Sequence, residues 1–99
     1  MAQVTATFVK VLSGWKGYAQ LFRLSTLTDY GEDLDTGAPT GRTDYVIVSA
    51  AVVPILGPQT HIFAANAEGE CLDWNPIKGS FTGALDHTRA IREAGWVLA

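Results

Sequence analysis

His61 and His87 are the only imidazoles in this chain and Cys71 is the only thiol, so acid–base or nucleophilic chemistry would centre on them or on a carboxylate. A zinc or general-base role needs a second ligand, or a nucleophile, at a matching spacing. The chain has neither a His-x-x-x-His pair nor a Gly-x-Ser-x-Gly elbow. His61 lies in an apolar run and reads as a half-buried packing residue, while His87 falls in the first turn of a helix beside Asp86. Asp73 stands alone next to Trp74, and Asp86 is fully explained as a helix cap. Acid–base catalysis needs two groups poised together. The reading is therefore of a protein that is not an enzyme, with a minor hydrolase using His87 or His61 as the remote alternative.

The acidic stretch raises calcium. Asp33-Leu34-Asp35-Thr36-Gly37 begins like an EF-hand loop and Asp44 falls at its twelfth position. However, Gly37 occupies the fifth position, Ala38 stands where the sixth needs glycine, and no bidentate Glu is present. No metal and no cofactor are expected. Gly14-Trp15-Lys16-Gly17 and Gly79-Ser80-Phe81-Thr82-Gly83 match neither the dinucleotide fingerprint nor the phosphate loop. They read as turns.

Tryptophans are more suggestive. Trp15 sits in a glycine-rich turn with Lys16 beside it, and Trp74 ends a strand just before Pro76. An exposed Trp with a basic neighbour is a common binding anchor. Trp15, Lys16 and Trp74 are thus the expected contacts for a protein partner, with the acidic stretch as a second surface. The alternative is a pocket for a nucleotide-like small molecule, with Arg23, Arg42 or Lys78 meeting phosphate and a Trp stacking the base. Either aromatic could instead fold back on the core.

The positioning elements follow from length and pattern. With 99 residues, 47% hydrophobic and 17% charged, the chain is one globular domain spanning 1–99. Its formal charge of −3 and its scattered basic residues exclude a basic nucleic-acid face and a dense DNA mimic. A single cysteine permits no internal disulfide. With no signal-peptide pattern and no run near the ~20 apolar residues of a membrane span, a cytoplasmic protein without membrane contact is expected.

Leu85 to Trp96 predicts a short helix with both ends marked. Asp86 is the N-cap, Leu85 and Ala90 could close a staple, Gly95 ends the helix, and Trp96 supplies the closing apolar contact. Strands are expected at Val4–Leu12, Tyr18–Leu27, Asp44–Val53, His61–Ala65 and Glu70–Trp74, with Trp96–Leu98 as a possible last one. Asp44–Val53 is apolar on both faces and should be central. Asn66-Ala67-Glu68-Gly69 predicts a tight hairpin turn. Residues 29–43 predict a long exposed acidic loop, Gly57-Pro58 a turn, and Pro76–Gly83 a loop. The fold class is α+β: a mainly antiparallel sheet of about five strands with one C-terminal helix packed on it.

From Asp44 onward, Tyr-Val-Ile-Val-Ser-Ala-Ala, Gly57-Pro58-Gln-Thr-His-Ile-Phe, Asn66 to Gly69, Asp73-Trp74, Gly79-Ser80, Leu85-Asp86-His87 and Ala94-Gly95-Trp96 occur in an order similar to that of small uncharacterised proteins of actinobacteria and their bacteriophages. The first hairpin, Phe8 to Leu24, resembles them too. The resemblance implies an accessory protein, such as a phage product acting on a host component, and carries over no catalytic residue. The expected function is therefore non-catalytic binding of a protein partner, or self-association through a sheet edge.

Overall fold

The apolar run after Asp44 forms the third strand of a six-strand path, as its two hydrophobic faces require. The computed structural model describes all residues except 1–2, 15–17, 74–76, 78–79 and 84, and the side chain of Phe81. Its elements are β1 (Thr5–Leu12), β2 (Tyr18–Tyr30), β3 (Gly41–Val53), β4 (Gly57–Ala65), β5 (Cys71–Asp73), β6 (Phe81–Thr82), α1 (His87–Glu93) and β7 (Val97–Leu98). The order across the sheet is β5-β4-β3-β2-β1-β7, with β6 pairing β4 off that path. All pairs are antiparallel except β1 with β7, so the sheet is mixed, and it curls into a half-barrel.

The expected α+β class holds, but seven strand segments replace the expected five. The difference comes from short pieces. β6 pairs Gln59 with Thr82 and Thr60 with Phe81, inside the stretch read as loop. The expected acidic loop at 29–43 is also shorter than its composition suggested. Asp29 pairs Arg42 and Tyr30 pairs Gly41, so strand pairing continues to the loop's base and leaves only 31–40 outside it. Gly57 and Pro58 are not the turn. They pair Val53 and Val52, and the reversal lies at residues 54–56.

Each face of the sheet has its own core. On one, Ala6, Phe22, Leu24, Val46, Val48 and Ile62 meet Ala90, Ile91, Ala94 and Trp96. On the other, Ala19, Leu21, Ile47 and Ala65 form a smaller cluster with no helix over it. A bulge in β1 distributes its side chains between the two. Phe8 pairs Phe22, but Lys10 pairs Leu21, so the extra residue at Val9 moves the alternation by one place. Phe8 stacks edge-on against Phe22 at 5.9 Å, on the helix side, whereas Leu12 turns to the smaller cluster.

A helix of seven residues cannot stand alone in water and depends on its ends and its buried face. Asp86 is the N-cap, its carboxylate accepting from the Arg89 amide at 2.9 Å. The Asp86 amide in turn donates to Thr60 Oγ1 at 3.0 Å, which ties the helix start to β4. At the other end Trp96 N donates to Ile91 O and Gly95 N to Arg92 O, the paired bonds of a Schellman ending. Gly95 has φ +87°, as that ending demands. Of the pair placed to close a staple, Leu85 is half exposed and Ala90 fully buried. Asp86→Ala should lower stability by about 1 kcal/mol. Gly95→Val should cost about 1–2 kcal/mol through its backbone conformation alone, since nothing lies within 4 Å of an added Cβ. Denaturant unfolding of both variants checks this; unchanged midpoints would contradict the assigned helix ends. Among the described residues, no helix is long and apolar enough to cross a membrane.

Candidate functional site

The helix-free face carries a cavity of about 550 Å³. Its floor comes from the alternate residues of two paired strands. Ser49 and Ala51 of β3 lie beside His61 and Phe63 of β4, with Ser49 directly opposite His61 and Ile47 opposite Phe63. One end is closed by Val52, Val53 and Pro54, where β3 approaches its reversal. The other end is the Gly69-Glu70-Cys71 segment, and Gly14 lines a further side. Lining of this kind, mostly apolar with a few polar groups, is that of a small-ligand site.

The Gly69 end is held by the turn foreseen at residues 66–69. Gly69 N donates to Asn66 O at 3.0 Å, and Asn66 Oδ1 accepts from both Glu68 N and Glu70 N. Gly69 has φ +83°, and an added Cβ would come within 2.7 Å of Leu12 Cδ2. The turn therefore presses its backbone onto the smaller cluster beside the cavity, an approach that only glycine permits. Asn66 Nδ2 also donates to Glu70 Oε1 at 3.1 Å, orienting that exposed carboxylate.

His61 has an uneven set of partners. Its Nε2 lies 2.8 Å from Gln59 Oε1, so with that oxygen as acceptor the proton is on Nε2. Nδ1 is then left a lone pair; it is buried and has no hydrogen-bond partner among the described residues. Buried polar atoms are seldom left in this state, and each costs about 1–3 kcal/mol. Cys71 Sγ donates to Asp73 O at 3.2 Å. Burial raises its thiol pKa above the ordinary range, the bond to the Asp73 carbonyl opposes this, and the Asp73 charge adds to the rise. The thiol is thus a weak nucleophile at neutral pH. Iodoacetamide should alkylate it more slowly than a free thiol at pH 7–8, with unfolding restoring the rate; rapid reaction of the folded protein would contradict this.

Trp15, Lys16, Trp74 and Lys78 lie outside the described residues. Arg23 pairs with Asp44 at 3.4 Å and sits over the Tyr45 ring, and Arg42 pairs with Asp29 at 2.8 Å. Neither lines the cavity. His87 is on the helix side, its Nε2 2.9 Å from the Tyr18 carbonyl and its ring edge-on to Tyr18, so the two imidazoles serve opposite faces. Among the described residues no three His, Cys, Asp or Glu side chains gather as a metal site.

Sequence reasoning missed the cavity because its residues are bland one by one. A signal was nonetheless present. β3 is apolar on both faces, but the sequence predicts a single short helix, enough to cover one face. No family model, curated protein or solved structure matches the chain.

Proposed function

We propose that this protein is a non-catalytic binding protein that takes a small, largely apolar molecule into the cavity on the helix-free face of its sheet. The observation that carries this reading is the cavity itself: about 550 Å³, floored by Ala51 and Phe63 and open beside the half-buried His61. That volume falls within the range of small-molecule sites. A phosphate-bearing ligand is the less favoured version, since Arg23 and Arg42 are engaged with carboxylates away from the cavity.

A neutral solvatochromic dye tests the reading. Its emission should rise saturably with the wild-type protein, and Ala51→Trp, which fills the floor, should abolish the rise while leaving cooperative unfolding in place. Equal dye binding by the folded Ala51→Trp variant would contradict the proposal.

A protein partner is the second reading, favoured by the β3–β4 reversal. Ile55 is fully exposed there at φ +73°, a strained setting for a β-branched residue, with Val52 and Leu56 exposed around it. An apolar tip of this kind suits insertion into another surface.

A further inference from the structure

We infer that the ligand of this cavity is a small organic cation, an amine with an apolar body, whose ammonium lies toward Glu70 and whose body rests on Phe63, Ala51 and Val53. This inference rests on the binding reading above and specifies its chemistry. It follows first from charge. Among the described residues, Glu70 is the only carboxylate in the lining and no Lys or Arg side chain lines the cavity. Glu70 makes no ion pair among the described residues, and Asn66 occupies one of its oxygens while fixing the carboxylate's place. Lys10, whose Cε lies 3.7 Å from where a Gly69 Cβ would be, forms no ion pair with Glu70.

The hydrogen-bond inventory agrees. An anionic ligand needs donors, but among the described lining side chains the Cys71 thiol is committed to the Asp73 carbonyl and His61 Nε2 to Gln59, which leaves only the neutral Ser49 hydroxyl. What the described lining offers in addition is the second oxygen of Glu70, an acceptor that Asn66 does not occupy. An ammonium carries three donors and no acceptor. Phe63 and Ala51 add the apolar surface on which the body of such a molecule would rest.

Three probes of matched shape separate the possibilities: 2-phenylethylamine, 2-phenylethanol and 3-phenylpropanoate, titrated by calorimetry at low salt. The amine should bind best and the carboxylate worst. Glu70→Gln, which keeps an oxygen for Asn66, should weaken the amine about threefold and leave the alcohol unchanged, the scale of an exposed ion pair. Molar salt should narrow the same gap. Equal binding of all three probes, or an amine unaffected by Glu70→Gln, overturns the amine inference but leaves the cavity as a site. Binding of none of them, or binding that survives Ala51→Trp, overturns the cavity reading together with it.

Discussion

Replacing Trp96 with alanine is expected to destabilise the domain by about 3–5 kcal/mol, the cost of removing a large aromatic from a packed core. Trp96 is 95% buried, counting its 5% residual exposure, and it joins Ile91, Ala90 and Ala94 to the sheet. Its amide also closes the helix end on Ile91, and it directly precedes β7, whose Val97 amide donates to Val4 O. One side chain thus holds the helix, the helix ending and the parallel edge strand together. A domain of this length has a total stability of roughly 5–15 kcal/mol, so the variant should be near the edge of folding at room temperature. Urea unfolding followed by circular dichroism measures it. A loss below about 1 kcal/mol would mean that the helix is not packed as described.

Leu21→Ala should cost about 2–5 kcal/mol and, unlike Trp96→Ala, should also alter the cavity. Leu21 is fully buried in the smaller cluster, and its Cδ2 lies 3.7 Å from where a Gly69 Cβ would be. Removing it takes away one of the two leucines, with Leu12, on which the 66–70 turn rests, and that turn is the wall carrying Glu70. The variant should therefore lose dye binding at concentrations of denaturant too low to unfold it. The helix-side counterpart Ile91→Ala should lose stability on a similar scale while keeping dye affinity in the folded fraction. Matching losses of binding in both would contradict the separation of the sheet into a structural face and a binding face.

Much of this architecture was legible in the residues. Asp86 and Gly95 define the helix ends through local capping of orphan amides and carbonyls, so their reading needs no tertiary information. Val46, Ile47 and Val48 cannot all be buried unless the strand is covered on both sides, which places β3 inside the sheet. Asn66 and Gly69 specify their turn by local hydrogen bonding and a left-handed φ.

The rest depends on pairing between distant residues. Strict period-two alternation would put Phe8 and Leu12 of β1 on one face. The bulge at Val9 separates them, and nothing within β1 announces it; the bulge appears only when β2 sets the register. Asp29, Arg42 and Thr43 looked like loop because they are polar, but they extend a ladder whose bonds are made by backbone, with an Asp29–Arg42 pair across it. β6 has two residues, too short for any periodicity, and exists because β4 has a free edge beside it. The cavity is a further step removed, since it is the space left between a hairpin reversal and a folded-over turn. Its lining spans residues far apart in the chain whose composition is ordinary.

The central claim is that the helix-free face binds and the helix face does not. Backbone and side-chain NMR shifts of the labelled protein, recorded while 2-phenylethylamine is added, test it residue by residue. The account predicts saturable shifts for Ser49, Ala51, Val53, His61, Phe63 and Glu70, with Ala90, Ile91 and Trp96 unmoved. Shifts concentrated on the helix and β7, or none at saturation-level probe, would contradict it.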